Sequence, residues 1–125
     1  MKPAPFSYIR VKDLSYALDL LQEHGAEARL IAGGQSLLAT LNLRLSAPAL
    51  LIDISGLVEL RGIRLAGDQI QIGALTRHVE VERSETIASQ LPLLSCAMPH
   101  IAHAAIRNRG TIGGSLALAD PAAEL

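Results

Sequence analysis

Two glycine pairs set the limits on what this chain can fold into. Gly33-Gly34 and Gly113-Gly114 each follow an apolar segment, and each is trailed closely by a serine, Ser36 and Ser115. Glycine has no Cβ, reaches φ > 0 at little cost and lets a backbone approach a ligand. A run of bared amide N–H groups beside a hydroxyl makes a concavity suited to phosphate oxygens. Two such motifs far apart in sequence suggest a site gripped from both sides. Near the second, Arg107 and Arg109 add cations. These read either as bidentate clamps on anionic oxygens or as caps on the last helix carbonyls and partners of a surface carboxylate.

The familiar nucleotide and hydrolase motifs are absent. Neither pair completes the GxGxxG of a dinucleotide fold, and no lysine follows a glycine as a phosphate-binding P-loop requires. The only lysines are Lys2 and Lys12. No serine stands in a GxSxG elbow.

Composition narrows the classes further. Half of the 125 residues are hydrophobic (50%) and 18% are charged, so the chain buries a core rather than staying disordered. A formal charge of −1 gives no basic field for nucleic acid, and 2% aromatics leave few stacking platforms. The single cysteine, Cys96, excludes an internal disulfide framework and an iron–sulfur cluster held by this chain alone. With no apolar run near the ~20 residues of a membrane helix and no leader-like start, the expectation is a cytoplasmic domain without a membrane span.

Along the chain, FSYIRV (Phe6 to Val11) alternates as a short strand after Pro3 and Pro5. Asp13 reads as an N-cap, and Leu14, Ala17, Leu18 and Leu21 form a helical stripe that Gly25 ends. ARLIA (Ala28 to Ala32) is a compact strand delivering the first glycine pair. Ser36 to Leu41 then opens a helix whose dipole assists the amides of Gly33, Gly34 and Ser36. Pro48 breaks that helix, and ALLIDI (Ala49 to Ile54) is a further buried strand.

The order β-α-β-loop-helix-β describes a small α/β lobe. A boundary near Ser55 gives lobes 1–55 and 56–125. In the second, Gly67-Asp68 between GIRLA and QIQIGA signals an antiparallel hairpin. Thr76 resembles an N-cap for Arg77 to Arg83, and Ser84 opens another helical stretch. Pro92 suits the first turn of a third. Pro99 lies inside its apolar run, so a kink or two short helices is expected there. Gly110 is the expected exit, releasing the chain into a glycine loop.

His100 and His103 stand at a spacing that puts two imidazoles on one helix face, but no further metal ligands are nearby. They, with His24 and His78, read as surface or hydrogen-bonded side chains. Cys96 reads as a small packed hydrophobe. Asp53, Asp68, Asp120 and Glu124 are too scattered for a paired acid and base. Asp120-Pro121 looks like the start of a helix that is then cut off, which suggests a piece of a longer protein.

Ala32-Gly33-Gly34-Gln35-Ser36-Leu37, together with Ile106-Arg107-Asn108-Arg109-Gly110-Thr111-Ile112-Gly113-Gly114-Ser115, resembles the FAD-binding medium subunit of the molybdenum hydroxylases. That family includes the carbon monoxide dehydrogenase medium subunits and the flavin domain of xanthine dehydrogenase. Leu51-Ile52-Asp53-Ile54 and Gly73-Ala74-Leu75-Thr76 fit as well. The resemblance covers the whole chain but only the front part of such a subunit.

It implies an α+β, p-cresol methylhydroxylase-type FAD-binding fold of two small α/β lobes, truncated at the C-terminus, with FAD between the lobes. Carried over by residue, Ala32, Gly33, Gly34, Gln35 and Ser36 line the pyrophosphate from one lobe. Thr111, Ile112, Gly113, Gly114 and Ser115 line it from the other, and Leu37 and Glu124 are further contacts. Ile101 falls where the family sets an apolar residue against the adenine. The family often has asparagine or aspartate at position 115, so Ser115 offers a shorter hydrogen-bonding arm.

The implied function is an oxidoreductase subunit without catalytic residues of its own. It passes electrons from 2Fe–2S clusters on a small partner subunit, through FAD, to an external acceptor, while a large subunit carries molybdopterin. The alternatives are a stand-alone flavin oxidoreductase on the same fold and a non-catalytic assembly module. In the family, further strands and a C-terminal domain help cover the flavin ring, so the chain as given is expected to bind FAD weakly or not at all by itself.

Overall fold

Strand β3 (Leu50–Asp53) is the centre of the first part of the chain, and its sequence explains why. Leu50, Leu51 and Ile52 are all buried, the continuous apolar run of a strand covered on both faces. The computed structural model describes residues 1–125, which divide into two compact units, Met1–Val58 and Glu59–Leu125.

In the first unit, β1 (Ser7–Arg10) and β2 (Ala28–Ile31) flank β3, both parallel to it, in the order β1-β3-β2. Between them runs α1 (Leu14–His24), which packs on β2 and β3 and buries Ala17 and Leu20. Its ends follow the sequence. The Asp13 carboxylate accepts from the Tyr16 amide at 2.8 Å, and Gly25 closes the helix at φ 51. Arg10 and Ile31 both stand opposite Asp53, so the three strands finish together. The chain leaves β2 at this carboxyl edge directly into Ala32-Gly33-Gly34, then enters α2 (Leu37–Asn42). In open parallel sheets this edge is where ligands bind.

The second unit opens with an antiparallel hairpin, β4 (Ile63–Ala66) and β5 (Gln69–Ile72), turned by Gly67 at φ 65. Bonds from the Gly73 amide to the Gly62 carbonyl and from Leu75 to Leu60 extend its pairing. Ile63, Ile70 and Ile72 pack against a buried cluster of Val81, Ile87, Met98 and Ile101. The helices supplying that cluster are short: α3 (His78–Glu82), α4 (Glu85–Gln90), α5 (Pro92–Ala97) and α6 (Ala104–Arg107). Pro92 begins α5 and Pro99 ends the run, through a 3-10 turn over Met98–His100 and a bend at Ala102 with φ 45. The two short helices expected around Pro99 are therefore present.

Four local readings are corrected here. Thr76 does not cap α3. Its hydroxyl accepts from the Gly62 amide (3.0 Å) and donates to the Gly62 carbonyl (3.1 Å), while the Arg77 amide is met by the Glu80 carboxylate at 2.6 Å. The second glycine pair is not a loop but the first turn of α7 (Ile112–Leu118), with Thr111 as N-cap. His100 and His103 share no helix face, because the break after Pro99 falls between them. Cys96 is exposed rather than packed, since α5 turns Leu94 and not Cys96 toward the hydrophobic cluster.

Helix α7 ends at Ala119, which sits in the left-handed region at φ 52, ψ 41. An L-residue there is disfavoured by about 1–2 kcal/mol, against roughly 0.4–1 kcal/mol of extra unfolded-state entropy for glycine. Ala119→Gly is accordingly expected to stabilise this unit by about 0.5–1 kcal/mol. A urea midpoint moved to lower concentration at unchanged slope would contradict that. Beyond α7, Asp120 and Pro121 form a turn in which the Asp120 carboxylate accepts from the Ala122 amide at 2.9 Å.

Candidate functional site

The first glycine motif is a cradle made of main chain. Gly34 has φ 72, a conformation that favours glycine, and a Cβ there would also press on Leu38 Cδ1 at 3.1 Å. Three carbonyls of this stretch are engaged: Gly33 accepts from the Gln35 side-chain amide at 3.0 Å, Gly34 from Leu38 N and Ser36 from Thr40 N, both at 3.1 Å. The amides are not. None of the N–H groups from Ala32 through Leu37 donates to any acceptor within the chain. Ala32, Gly33, Gly34 and Gln35 are only half-buried, so these donors remain reachable. Ser36, at the N-cap position of α2, makes no side-chain capping bond, and no acidic residue occurs between Ala32 and Leu37.

Neutral donors without acceptors at the carboxyl edge of a parallel sheet, with no competing carboxylate in the loop, suit a diphosphate. By that measure the residues fit the pyrophosphate of a dinucleotide such as FAD. Sequence reading foresaw amides from Gly33, Gly34 and Ser36; the structure extends the run to Ala32, Gln35 and Leu37.

The second motif is built differently, and the expectation of bared amides fails there. Ile112 N donates to Thr76 O at 3.0 Å and Gly113 N to Ala74 O at 2.8 Å. Gly114 N donates to the Thr111 hydroxyl at 3.1 Å and Ser115 N to Thr111 O at 3.0 Å. The glycines here serve packing. A Cβ on Gly113 would lie 2.6 Å from Ala74 Cβ and 2.7 Å from its carbonyl oxygen, and one on Gly114 would lie 2.8 Å from the Thr111 hydroxyl. What the motif leaves for a ligand is the Ser115 hydroxyl and the exposed backbone face at Gly114; the Thr111 amide makes no bond within the chain, but the residue is buried.

The other candidate residues separate clearly. Ile101 is 6% exposed and belongs to the hydrophobic cluster, so it offers little side-chain surface. Glu124 is exposed and interacts electrostatically with His78. Of the two readings of Arg107, the structural one holds: its Nε meets Glu82 at 2.9 Å and its Nη1 meets the Ile101 carbonyl at 3.0 Å. Arg109 is exposed.

Two features escaped the sequence reading. Tyr8 donates a hydrogen bond to the Asp53 carboxylate at the end of β3, which also accepts from the Ser55 amide at 2.8 Å. Burial pushes the Asp53 carboxyl up, but these hydrogen bonds outweigh it and hold it below its ordinary value. His78, read as a surface residue, is 5% exposed, and neither ring nitrogen has a hydrogen-bond partner. The available signal was its spacing: His78 and Val81 are i, i+3, and together they are the buried side of α3.

Residues 4–125 match the family described as the FAD binding domain in molybdopterin dehydrogenase. The chain is 54% identical over its full length to the 6-hydroxypseudooxynicotine dehydrogenase complex subunit alpha of Paenarthrobacter nicotinovorans, of which it covers 42%. It is 46% identical over its full length to the caffeine dehydrogenase subunit beta of Pseudomonas sp. strain CBB1, again covering 42%. Among solved structures, a chain of carbon monoxide dehydrogenase from Hydrogenophaga pseudoflava superposes on 98% of it at a TM-score of 0.96 and 44% identity, with 43% of that chain covered. The α+β fold is the one these proteins share. The chain spans less than half the length of the relatives it matches. No helix is long and apolar enough to cross a membrane.

Proposed function

The chain belongs to the family of FAD-binding domains in molybdopterin dehydrogenases, and from that membership we propose that it is the FAD-binding part of the medium subunit of a molybdenum hydroxylase complex. The observation that carries the proposal is the run of unpaired amides from Ala32 to Leu37 at the carboxyl edge of the sheet. In this reading Ala32, Gly33, Gly34, Gln35, Ser36 and Leu37 hold the pyrophosphate through their main chain. Thr111 and Ser115 add polar contacts, Ile112, Gly113 and Gly114 shape the surface behind them, and Ile101 and Glu124 lie at the margin.

No residue of this chain is assigned a catalytic role. FAD, when bound, supplies the redox chemistry that links one-electron and two-electron carriers; the protein orients it and neutralises its phosphates. The electrons come from 2Fe–2S clusters on a small partner subunit and leave to an external acceptor, while a large subunit holds molybdopterin and selects the substrate. One cysteine cannot ligate such a cluster, so these 125 residues do not hold it by themselves. The proposed compartment is the cytoplasm.

Purification of the native protein with whatever accompanies it tests this directly. The expected preparation contains one FAD per copy of this chain together with iron and molybdenum on copurifying subunits. Stoichiometric FAD without iron or molybdenum would point instead to a stand-alone flavin enzyme. A flavin-free preparation would remove the nucleotide reading altogether.

A further inference from the structure

His78 is the buried titratable group that the proposed cofactor site leaves unused. It opens α3, and its surroundings tie it to the second glycine motif rather than to the hydrophobic cluster alone. Its backbone N–H donates to the Gly110 carbonyl at 3.0 Å, and the adjoining residues Arg77 and Thr111 form an isolated antiparallel bridge. The imidazole lies against Gly110 so closely that a Cβ on that glycine would stand 3.2 Å from Nδ1 and 3.4 Å from Cε1. At 5% exposure, with neither nitrogen in a hydrogen bond of good geometry and the Thr111 backbone the polar group beside it, the ring fills space beside the extended Gly110-Thr111 segment.

A neutral imidazole tolerates that position; an imidazolium does not, because a buried charge without a partner is strongly disfavoured. Desolvation accordingly pushes the His78 pKa below its ordinary value, and the Arg107 charge acts in the same sense. The Thr111 backbone beside the ring and the Glu124 carboxylate work against this without reversing it. Arg107 is itself engaged by Glu82; Arg77, Glu80 and Arg109 are the other charged residues close to His78 and Gly110 along the chain. The linkage has one sign. A histidine whose folded pKa is depressed contributes stability that is complete above its unfolded value near 6.5. That stability is lost as pH falls through the folded value.

We propose that His78 is a positioning residue for the second glycine motif: uncharged, it props the Gly110-Thr111 segment that leads into α7, and its protonation loosens that segment and weakens cofactor binding. The inference rests on the FAD reading for its ligand but on the geometry of residues 77–78 and 110–114 for its mechanism. Thr111 is the hinge of the effect, since its hydroxyl and carbonyl hold the Gly114 and Ser115 amides. A shift of that segment disturbs both bonds at once.

The test uses the native FAD-loaded protein and follows released flavin by its fluorescence between pH 7.5 and 5.5. The wild-type dissociation constant is expected to rise severalfold, and by at most about tenfold, over that range, the limit for a single proton with an unbound pKa near 6.5. His78→Gln, which cannot titrate, is expected to change less than threefold, while His100→Gln, at an exposed position, keeps the wild-type profile. Superposable profiles for wild type and His78→Gln would overturn the proposal. Should the variant not fold, NMR of the wild-type protein decides. The amides of Gly110, Thr111 and Gly114 must titrate with the midpoint of the His78 ring, and amides that stay still while the ring titrates would refute it. Absence of bound FAD at every pH would overturn the cofactor reading instead, leaving the amide titration to judge His78.

Discussion

Ser36→Asp is expected to strip FAD from the native protein, weakening binding at least a hundredfold while leaving the fold intact or slightly more stable. The two effects have opposite sign because they draw on the same donors. Ser36 stands at the N-cap of α2, and the amides from Ala32 to Leu37 have no acceptor within the chain. A carboxylate at this position finds those amides and the positive end of the helix, a favourable interaction of about 0.3–1 kcal/mol at an exposed site. It also sets a negative charge where a diphosphate must sit, and like charges brought together at a binding site cost several kcal/mol. A hundredfold loss is about 2.7 kcal/mol. Thermal unfolding and flavin content of the purified variant report both halves. Full FAD occupancy would mean that the cradle holds something other than phosphate.

Gly113→Ala carries the largest expected effect on stability. Alanine in place of glycine inside a helix is ordinarily worth about 1 kcal/mol in its favour. Here the added methyl would lie 2.6 Å from Ala74 Cβ and 2.9 Å from Ala74 Cα, so it meets backbone that cannot step aside. Overpacking of this kind costs about 1–3 kcal/mol and more where nothing yields. Relief requires α7 to lift, which also strains the bonds from Ile112 to Thr76 and from Gly113 to Ala74. The expected net loss is about 2–3 kcal/mol, a fall in Tm of roughly 10 °C or more for a unit of this size.

Gly114→Ala is the built-in comparison, because its methyl meets only the Thr111 hydroxyl at 2.8 Å. Loss of that N-cap bond, about 1 kcal/mol, is offset by the gain in helix propensity, so this variant should unfold close to wild type. Equal Tm values for wild type and Gly113→Ala would show that the second glycine pair does not serve packing.

The sequence was most legible where structure is decided within a few residues. Asp13 and Gly25 bracket α1, Gly67 turns the hairpin, and Pro92 and Pro99 mark the ends of short helical pieces. Each acts through its own backbone geometry or a neighbouring amide, which local pattern captures. The succession of elements along the first lobe and the position of the first glycine pair were legible for the same reason: apolar segments alternate with helical ones, and the glycines fall directly after β2.

What stayed hidden depends on partners far along the chain. Nothing near Gly113 reveals that its amide is taken by Ala74, or that Thr76 turns its hydroxyl to Gly62 instead of capping α3. His78 and Cys96 exchanged roles for a related reason. Burial of a single side chain in helices this short depends on which face the hairpin and the Gly110 segment cover, and a few residues of period cannot fix that face. Arg107, left between two readings, was decided by Glu82 on another helix.

The cradle between Ala32 and Leu37 offers its donors from the main chain, and this has a practical consequence for how its importance can be measured. A scan that trims side chains one by one leaves every one of those N–H groups in place, so truncating Gln35, Ser36 or Leu37 would register as tolerance at the spot where the proposed ligand is held most directly. Single-atom replacement of the backbone, an ester for an amide, is the perturbation that this part of the molecule would feel.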